Sequence, residues 1–285
     1  MSDLARLVCS CSDQPGIVAA VSGFLYQRGA NITVLDQHSS DPREGDFFMR
    51  LEFDLSGIAS NQEALSREFG REVADRLGMN YRIGLASERP KAAILVSRED
   101  HALLELLWRW RRGELVADFE LVISNHPDLE AVVQSLGLTF LYIPNNREIR
   151  PKAEAAMLKA LADHDELLVL ARYMQVLSPD FVARYPERII NIHHSFLPAF
   201  VGAHPYRQAW ERGVKLIGAT AHYVTADLDS GPIIEQDVAR VSHRDGVEDL
   251  MTIGRDLERQ VLARAVRWHL EDRVIVHGHR TVVFR

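Results

Sequence analysis

Apolar and polar residues alternate from Leu4 to Cys11, with Ala5, Leu7, Cys9 and Cys11 on one side and Leu4, Arg6, Val8 and Ser10 on the other. A period of two is that of a half-buried strand. The segment Ser12-Asp13-Gln14-Pro15-Gly16 then reads as a turn, and Ile17, Val18, Val21, Phe24 and Leu25 recur at helical spacing until Arg28-Gly29 stops the helix. Strands are predicted over 31–38 and 47–55, an amphipathic helix over 61–77 and a closing strand over 80–85. The order βαββαβ predicts a ferredoxin-like domain, one sheet with both helices on a single face.

The short polar segment Ser87-Glu88-Arg89-Pro90-Lys91 marks a boundary. It divides the chain into domains 1–86 and 87–285. Beyond it the pattern changes to apolar runs alternating with helical periods: strands at 92–96, 121–124, 140–143, 167–170 and 189–192, and helices at 101–111, 128–136, 151–161 and 179–185. That rhythm predicts an α/β domain with a mostly parallel sheet buried on both faces. Helical spacing returns over 247–270, and 274–284 reads as a terminal β extension. In such sheets ligands bind beyond the carboxyl ends of the strands.

Composition narrows the function classes. The 285 residues hold 33 Lys and Arg against 40 Asp and Glu, a net charge of −7, so the basic footprint of a nucleic-acid binder is missing. A small-molecule partner is expected, with no nucleic acid and no membrane, since no apolar run reaches the roughly 20 residues of a bilayer span. Met1 to Arg6 lack the basic and apolar regions of a signal peptide, and only two cysteines occur, so a cytoplasmic location is expected. Phosphate-loop, dinucleotide and nucleophile-elbow glycine motifs are missing, which weakens kinase, dehydrogenase and serine-hydrolase readings.

Chemistry concentrates where the buried strand Ile189-Ile190-Asn191-Ile192-His193 turns polar at His194-Ser195. Asn191 and His193 are two apart and project to the same side of a strand. An amide donor beside an imidazole suits an oxyanion on a tetrahedral carbon, and the imidazole also moves protons near neutral pH. Downstream, Gly218 to Ile234 reads as strand, acidic loop, strand. There Asp229 precedes Ser-Gly-Pro, whose tight turn can hold a carboxylate beside His193.

Two resemblances add to this reading. Asp13-Gln14-Pro15-Gly16-Ile17-Val18 with Gly29-Ala30-Asn31-Ile32 resembles the ACT domain family, which implies an amino-acid effector near Asp13, Gly16 and Asn31 and a homo-oligomer. The alternative is that Gly16 only makes the turn and the domain only joins subunits. Asn191-Ile192-His193 with Ser195 and Leu197-Pro198, followed by Leu228-Asp229-Ser230-Gly231-Pro232, resembles the folate-dependent formyltransferase family over residues 90–285. That likeness implies a Rossmann-like domain with Asn191, His193 and Asp229 as catalytic trio. It implies folate contacts from the loop Arg172 to Leu177, notably Met174, Gln175, Val176 and Leu177, and from Thr225, Ala226 and Asp227. Ser195, Thr220 and His222 fall at supporting positions, Thr220 and His222 as orienters of the Asp and an ordered water.

The added ACT domain, the His193-His194 pair and the stretch Ile217 to Tyr223 resemble the hydrolytic branch of that family. This implies hydrolysis of 10-formyltetrahydrofolate to tetrahydrofolate and formate, which feeds purine synthesis and balances one-carbon pools. Asn191 and His193 would polarise the formyl oxygen while Asp229, directly or through His193, deprotonates water. Where the transferases of the family hold an acceptor's phosphate, Ser97-Arg98-Glu99-Asp100-His101 offers two carboxylates and no glycine. Transfer to an amine acceptor is the alternative, and a non-catalytic sensor a third reading that an intact trio argues against. The chain departs from its relatives at 143–150 and around His204.

Other residues have plain readings. Cys9-x-Cys11 lacks further ligands for a tetrahedral metal site and reads as core thiols. The histidines 193, 194, 204 and 222 lack zinc-ligand spacing, so neither a metal nor a prosthetic group is expected. Trp108 and Trp110 among arginines read as a helix face packed on the sheet. Of Asp227 and Asp229, only Asp229 falls on the motif of the family the chain resembles.

Overall fold

The computed structural model describes residues 4–41, 43–56, 58, 61–163, 166–199 and 205–285. The chain forms two units, residues 4–88 with 271–277 and 282–285, and residues 89–270 with 278–281.

In the first unit β1 (Leu4–Ser12), α1 (Ile17–Gln27), β2 (Asn31–Ser39), β3 (Asp46–Asp54), α2 (Gln62–Phe69), a π turn (Gly70–Ala74), α3 (Asp75–Leu77) and β4 (Asn80–Leu85) follow one another. The sheet is antiparallel in the order β2-β3-β1-β4, the ferredoxin-like arrangement. Ala5, Leu7, Cys9 and Cys11 are buried on one face of β1, in a core with Val21, Phe24, Leu25, Leu65, Phe69 and Val73 from the helices. Each large side chain so buried contributes about 1.5–3 kcal/mol. The single helix expected over 61–77 starts at the Asn61 cap, whose side chain accepts the Ala64 N–H at 2.9 Å, but widens at Gly70. There Tyr81 packs edge-on against Phe69 and donates to the Ser66 carbonyl at 2.8 Å, an insertion of the kind that perturbs a helical ladder.

The other face of β3 carries Arg50, which is fully buried. It donates to Glu52 at 2.5 Å and, through Nε and Nη2, to the Glu271 carbonyl at 3.1 and 2.9 Å. Asp272 pairs with Arg6 and Arg82, and Phe48 meets His277 edge-on. A buried guanidinium demands acceptors, and these contacts draw 271–277 to the first unit, whereas the sequence boundary groups them with the second.

The second unit runs β5 (Lys91–Val96), α4 (His101–Arg111), β6 (Asp118–Ser124), α5 (Glu130–Ser135), β7 (Thr139–Tyr142), α6 (Arg150–Ala160), β8 (Leu167–Ala171), α7 (Pro179–Val182), β9 (Ile189–His193), α8 (Pro205–Glu211), β10 (Leu216–Tyr223), β11 (Ile233–Arg240) and α9 (Val247–Leu270). The last strands, β12 (Val274–His277) and β13 (Arg280–Val283), pair with each other. The seven-stranded sheet has the order β11-β10-β9-β8-β5-β6-β7. It is parallel from β9 to β7, with β10 and β11 antiparallel. Every residue of β8 is buried, as a strand covered on both faces requires. Met157, Leu161 and Phe181 pack on Leu95, Leu168 and Leu170, while α9 lies along β9, β10 and β11 and against α4.

Trp110 packs edge-on to Phe119 and donates to the Ala117 carbonyl at 2.9 Å. Trp108, expected on the same packed face, is instead 62% exposed, because Ala102, Leu103, Leu106 and Leu107 form the buried stripe of α4. Among the described residues no helix is long and apolar enough to cross a membrane.

Candidate active site

Neighbouring strand ends build the site. Leu170 of β8 stands opposite Asn191 of β9, and β10 places His222 opposite Asn191 and Thr220 opposite His193. Asn191 and His193 line one cavity of about 630 Å³. The carboxylate arrives from the turn between β10 and β11. The Tyr223 N–H donates to the Pro232 carbonyl at 2.9 Å, and Gly231 lies so close to the Tyr223 carbonyl that no Cβ fits. Within this turn Asp229 adopts a left-handed backbone, φ 53°, a region Asp tolerates better than most residues. The curl sends Asp229 inward. Its Oδ2 lies 3.3 Å from His193 Nδ1 and its Oδ1 3.7 Å from His222 Nε2.

Hydrogen bonding fixes the orientation of the polar groups. His222 Nδ1 is 2.9 Å from the Tyr223 carbonyl, which can only accept, so Nδ1 carries the proton. Burial lowers the pKa of His222, leaving Nε2 as an acceptor 3.3 Å from the Asn191 amide nitrogen. One amide N–H of Asn191 is thereby held by His222 and the second is available to a ligand. His193 Nδ1 faces Asp229, and its buried Nε2 has no hydrogen-bond partner among the described residues. The His193 hydrogen bond, against the effect of burial, holds Asp229 below the usual carboxylate range.

The loop after β8 forms a second wall, to which Met174, Gln175, Val176 and Leu177 all contribute. Met174 and Val176 are about half exposed, an apolar rim suited to a flat ring. The loop is pinned: Ser97 Oγ accepts the Met174 N–H at 3.0 Å, Asn145 donates to the Tyr173 hydroxyl at 2.9 Å, and Glu154 accepts the Ser178 N–H at 2.7 Å.

Thr225 and Ala226 line the cavity with Leu228 and Asp229. Asp227, grouped with them by resemblance, is exposed and outside that lining, because the left-handed turn brings only the second carboxylate inward. Thr220 also differs from its expected part. Its hydroxyl donates to the Ser195 carbonyl at 2.8 Å and accepts from the Leu197 N–H at 3.0 Å and Gln236 at 2.9 Å, so it braces the chain after β9 rather than Asp229. Ser195 donates to the Ala199 carbonyl at 2.8 Å in the same turn. His204 lies outside the described residues, as does most of the divergent segment around it. Among the described residues no three His, Cys, Asp or Glu side chains group as metal ligands would.

In the first unit Gly16, φ 94°, caps α1 with open space where a side chain would stand. Asp13 accepts from the Ser39 hydroxyl, and Asn31 opens β2 opposite Asp54.

One group of residues escaped the sequence reading. Glu258 of α9, 1% exposed, accepts from the Tyr206 hydroxyl at 2.5 Å and contacts His101 Nε2 at 2.8 Å and Arg172 Nε at 3.4 Å. Burial works against its charge, but these partners outweigh burial and hold it below the usual range. His194, beside the cluster, is pushed down to about 4 by burial and by the charge of Arg172. The available signal was a carboxylate inside the apolar stripe Leu250, Leu257, Val261 and Leu262.

An α/β unit with an Asn, His and Asp convergence at its strand ends, following a ferredoxin-like unit in the chain, defines the class. The formyl transferase family model matches residues 90–266 and the ACT domain model residues 5–70. A formyltetrahydrofolate deformylase of Bacillus subtilis (strain 168) is 56% identical over 99% of this chain and 94% of its own length. One from Mycobacterium bovis (strain ATCC BAA-935 / AF2122/97) is 55% identical over 99% and 91%. The crystal structure of a formyltetrahydrofolate deformylase from Pseudomonas syringae pv. tomato str. DC3000 has a TM-score of 0.96 at 46% identity, covering 100% of this chain and 95% of that one. The chain belongs to the formyltetrahydrofolate deformylase family.

Proposed function

We propose that the chain hydrolyses 10-formyltetrahydrofolate to tetrahydrofolate and formate, with Asn191, His193 and Asp229 as the catalytic groups. The observation that carries the reading is the 3.3 Å approach of Asp229 to His193 at the head of a cavity with an apolar rim, in a chain of this family. The folate lies between the 174–177 loop and Thr225-Ala226, with its formyl group at the trio. The free amide N–H of Asn191 and the Nε2 side of His193 meet the formyl oxygen, where negative charge develops. Asp229, ionised at neutral pH, takes the proton of water, and its contact with His193 Nδ1 holds the imidazole with Nε2 toward the formyl oxygen. The bond between the formyl carbon and N10 breaks, N10 gains a proton, and the water oxygen remains in formate.

No prosthetic group enters these steps. The chain acts in the cytoplasm, where it supplies formate to purine synthesis. The ACT domain joins copies of the chain and takes an amino-acid effector at the Gly16 turn, while the unit of residues 89–270 carries the catalysis.

Purified protein given 10-formyltetrahydrofolate, with and without glycinamide ribonucleotide, tests the reading. Equal formate release in both supports it, whereas release of tetrahydrofolate only when the acceptor is present makes the chain a transferase.

A further inference from the structure

Arg172 combines three features that the reaction as described does not use. It is a non-glycine residue at φ 62°, directly after β8, so its backbone is held in the left-handed region. Its side chain is largely buried, and Nε and Nη1 have no hydrogen-bond partner among the described residues. Its ion-pair partner, Glu258, is held in turn by Tyr206 and His101. Resemblance assigned Arg172 to the folate loop, but its side chain is turned to this charged cluster.

The place matters. Val96 pairs with Ala171 and Leu170 with Asn191, so Arg172 follows the central strand ends and stands level with His193 on the neighbouring strand. Arg172, Glu258, His101 and Tyr206 line the same cavity as the trio. His101 opens α4 in the segment where a transferase would hold its acceptor. There Glu99 is paired with Arg255 and Glu258 with Arg172, so neither side chain is left to hold an acceptor, and the Arg172 guanidinium occupies part of the cavity wall.

We propose that the Arg172–Glu258 pair is a specificity device that fills the acceptor side of the cavity and restricts the nucleophile to water. This rests on the deformylase reading. Arg172 makes no contact with the formyl group and sets which nucleophile reaches it. Its left-handed backbone keeps the guanidinium on the acceptor side, and Glu258, anchored at both oxygens, prevents it from swinging out.

The test uses the full chain and the small amines hydroxylamine and glycinamide as probes, with formyl-amine and formate quantified together. Arg172→Gly and Arg172→Asn both suit a left-handed backbone, and Arg172→Lys keeps the charge. The wild type and Arg172→Lys should give formate with only a trace of formyl-amine. Arg172→Gly and Arg172→Asn should direct formyl to the amine with a ratio of formyl-amine to formate raised about ten- to hundredfold, the scale on which pocket shape discriminates. An unchanged ratio in Gly and Asn variants that still hydrolyse overturns the proposal. So does loss of hydrolysis in both with no formyl-amine formed, which would make Arg172 part of the hydrolytic machinery. Wild-type protein that releases no formate fails the deformylase reading instead, and the two failures are separate in the same tubes.

Discussion

Asp229→Asn removes both the charge and the proton acceptor of the site while keeping the shape of the side chain. The amide has the shape of the carboxylate and tolerates the left-handed φ of 53°, so the turn keeps its form while the charge 3.3 Å from His193 Nδ1 is lost. Two unit charges at that distance in an effective dielectric of about 20 interact by about 5 kcal/mol. Solvent at the partly exposed carboxylate reduces the usable share to about 3 kcal/mol, which corresponds to roughly 100-fold in rate. The loss should fall on kcat, because the Met174 to Leu177 wall proposed for the folate is untouched. A continuous assay of tetrahydrofolate formation, with KM and kcat fitted separately, reads both. Turnover within about threefold of wild type, or a loss confined to KM, refutes the assignment of Asp229 to the chemistry.

Three further outcomes follow from the geometry. Burial and the charge of Arg172 push His194 down to about 4 from the ordinary 6.5, so the unfolded chain binds its proton first. Stability should therefore be undiminished above about 6.5 and fall by up to about 3 kcal/mol as pH drops to 4; His194→Asn should flatten that limb in urea titrations at several pH values. A Cβ at Gly254 of α9 would collide with the Tyr206 ring, so Gly254→Ala should cost about 1–3 kcal/mol in urea unfolding, and Tyr206→Ala in the same chain should recover part of the loss. Cys9 and Cys11 are buried and unpaired, and burial pushes the Cys9 thiol up to about 12. A thiol reagent at pH 8 should leave Cys9 unmodified in the native chain and react with both after denaturation; fast native labelling of Cys9 would contradict its packing.

Some of this architecture was legible along the chain. Alternation from Ala5 to Cys11, broken only by Val8, specified which face of β1 is buried, and the Asn-x-His spacing placed Asn191 and His193 on one side of β9 because a strand has a period of two. What was not legible depends on backbone shape or on distant partners. The left-handed curl that turns Asp229 inward and leaves Asp227 exposed is a property of a turn closed by Tyr223 and Pro232, not of the two aspartates. Arg50 Nε and Nη2 are met by the carbonyl of Glu271, a group that every residue carries, so nothing in the sequence marks residues 271–277 as its partners. Glu258 was visible as a charge in an apolar stripe, but its partners His101, Arg172 and Tyr206 come from three distant segments.

The source of the second oxygen in formate tests the central claim most directly. The wild-type chain is incubated with 10-formyltetrahydrofolate in water enriched in ¹⁸O, without any amine acceptor, and the formate is examined by mass spectrometry. The account predicts formate carrying one ¹⁸O atom in amounts equal to the tetrahydrofolate formed. Tetrahydrofolate without labelled formate, or no reaction until an amine is supplied, would contradict it.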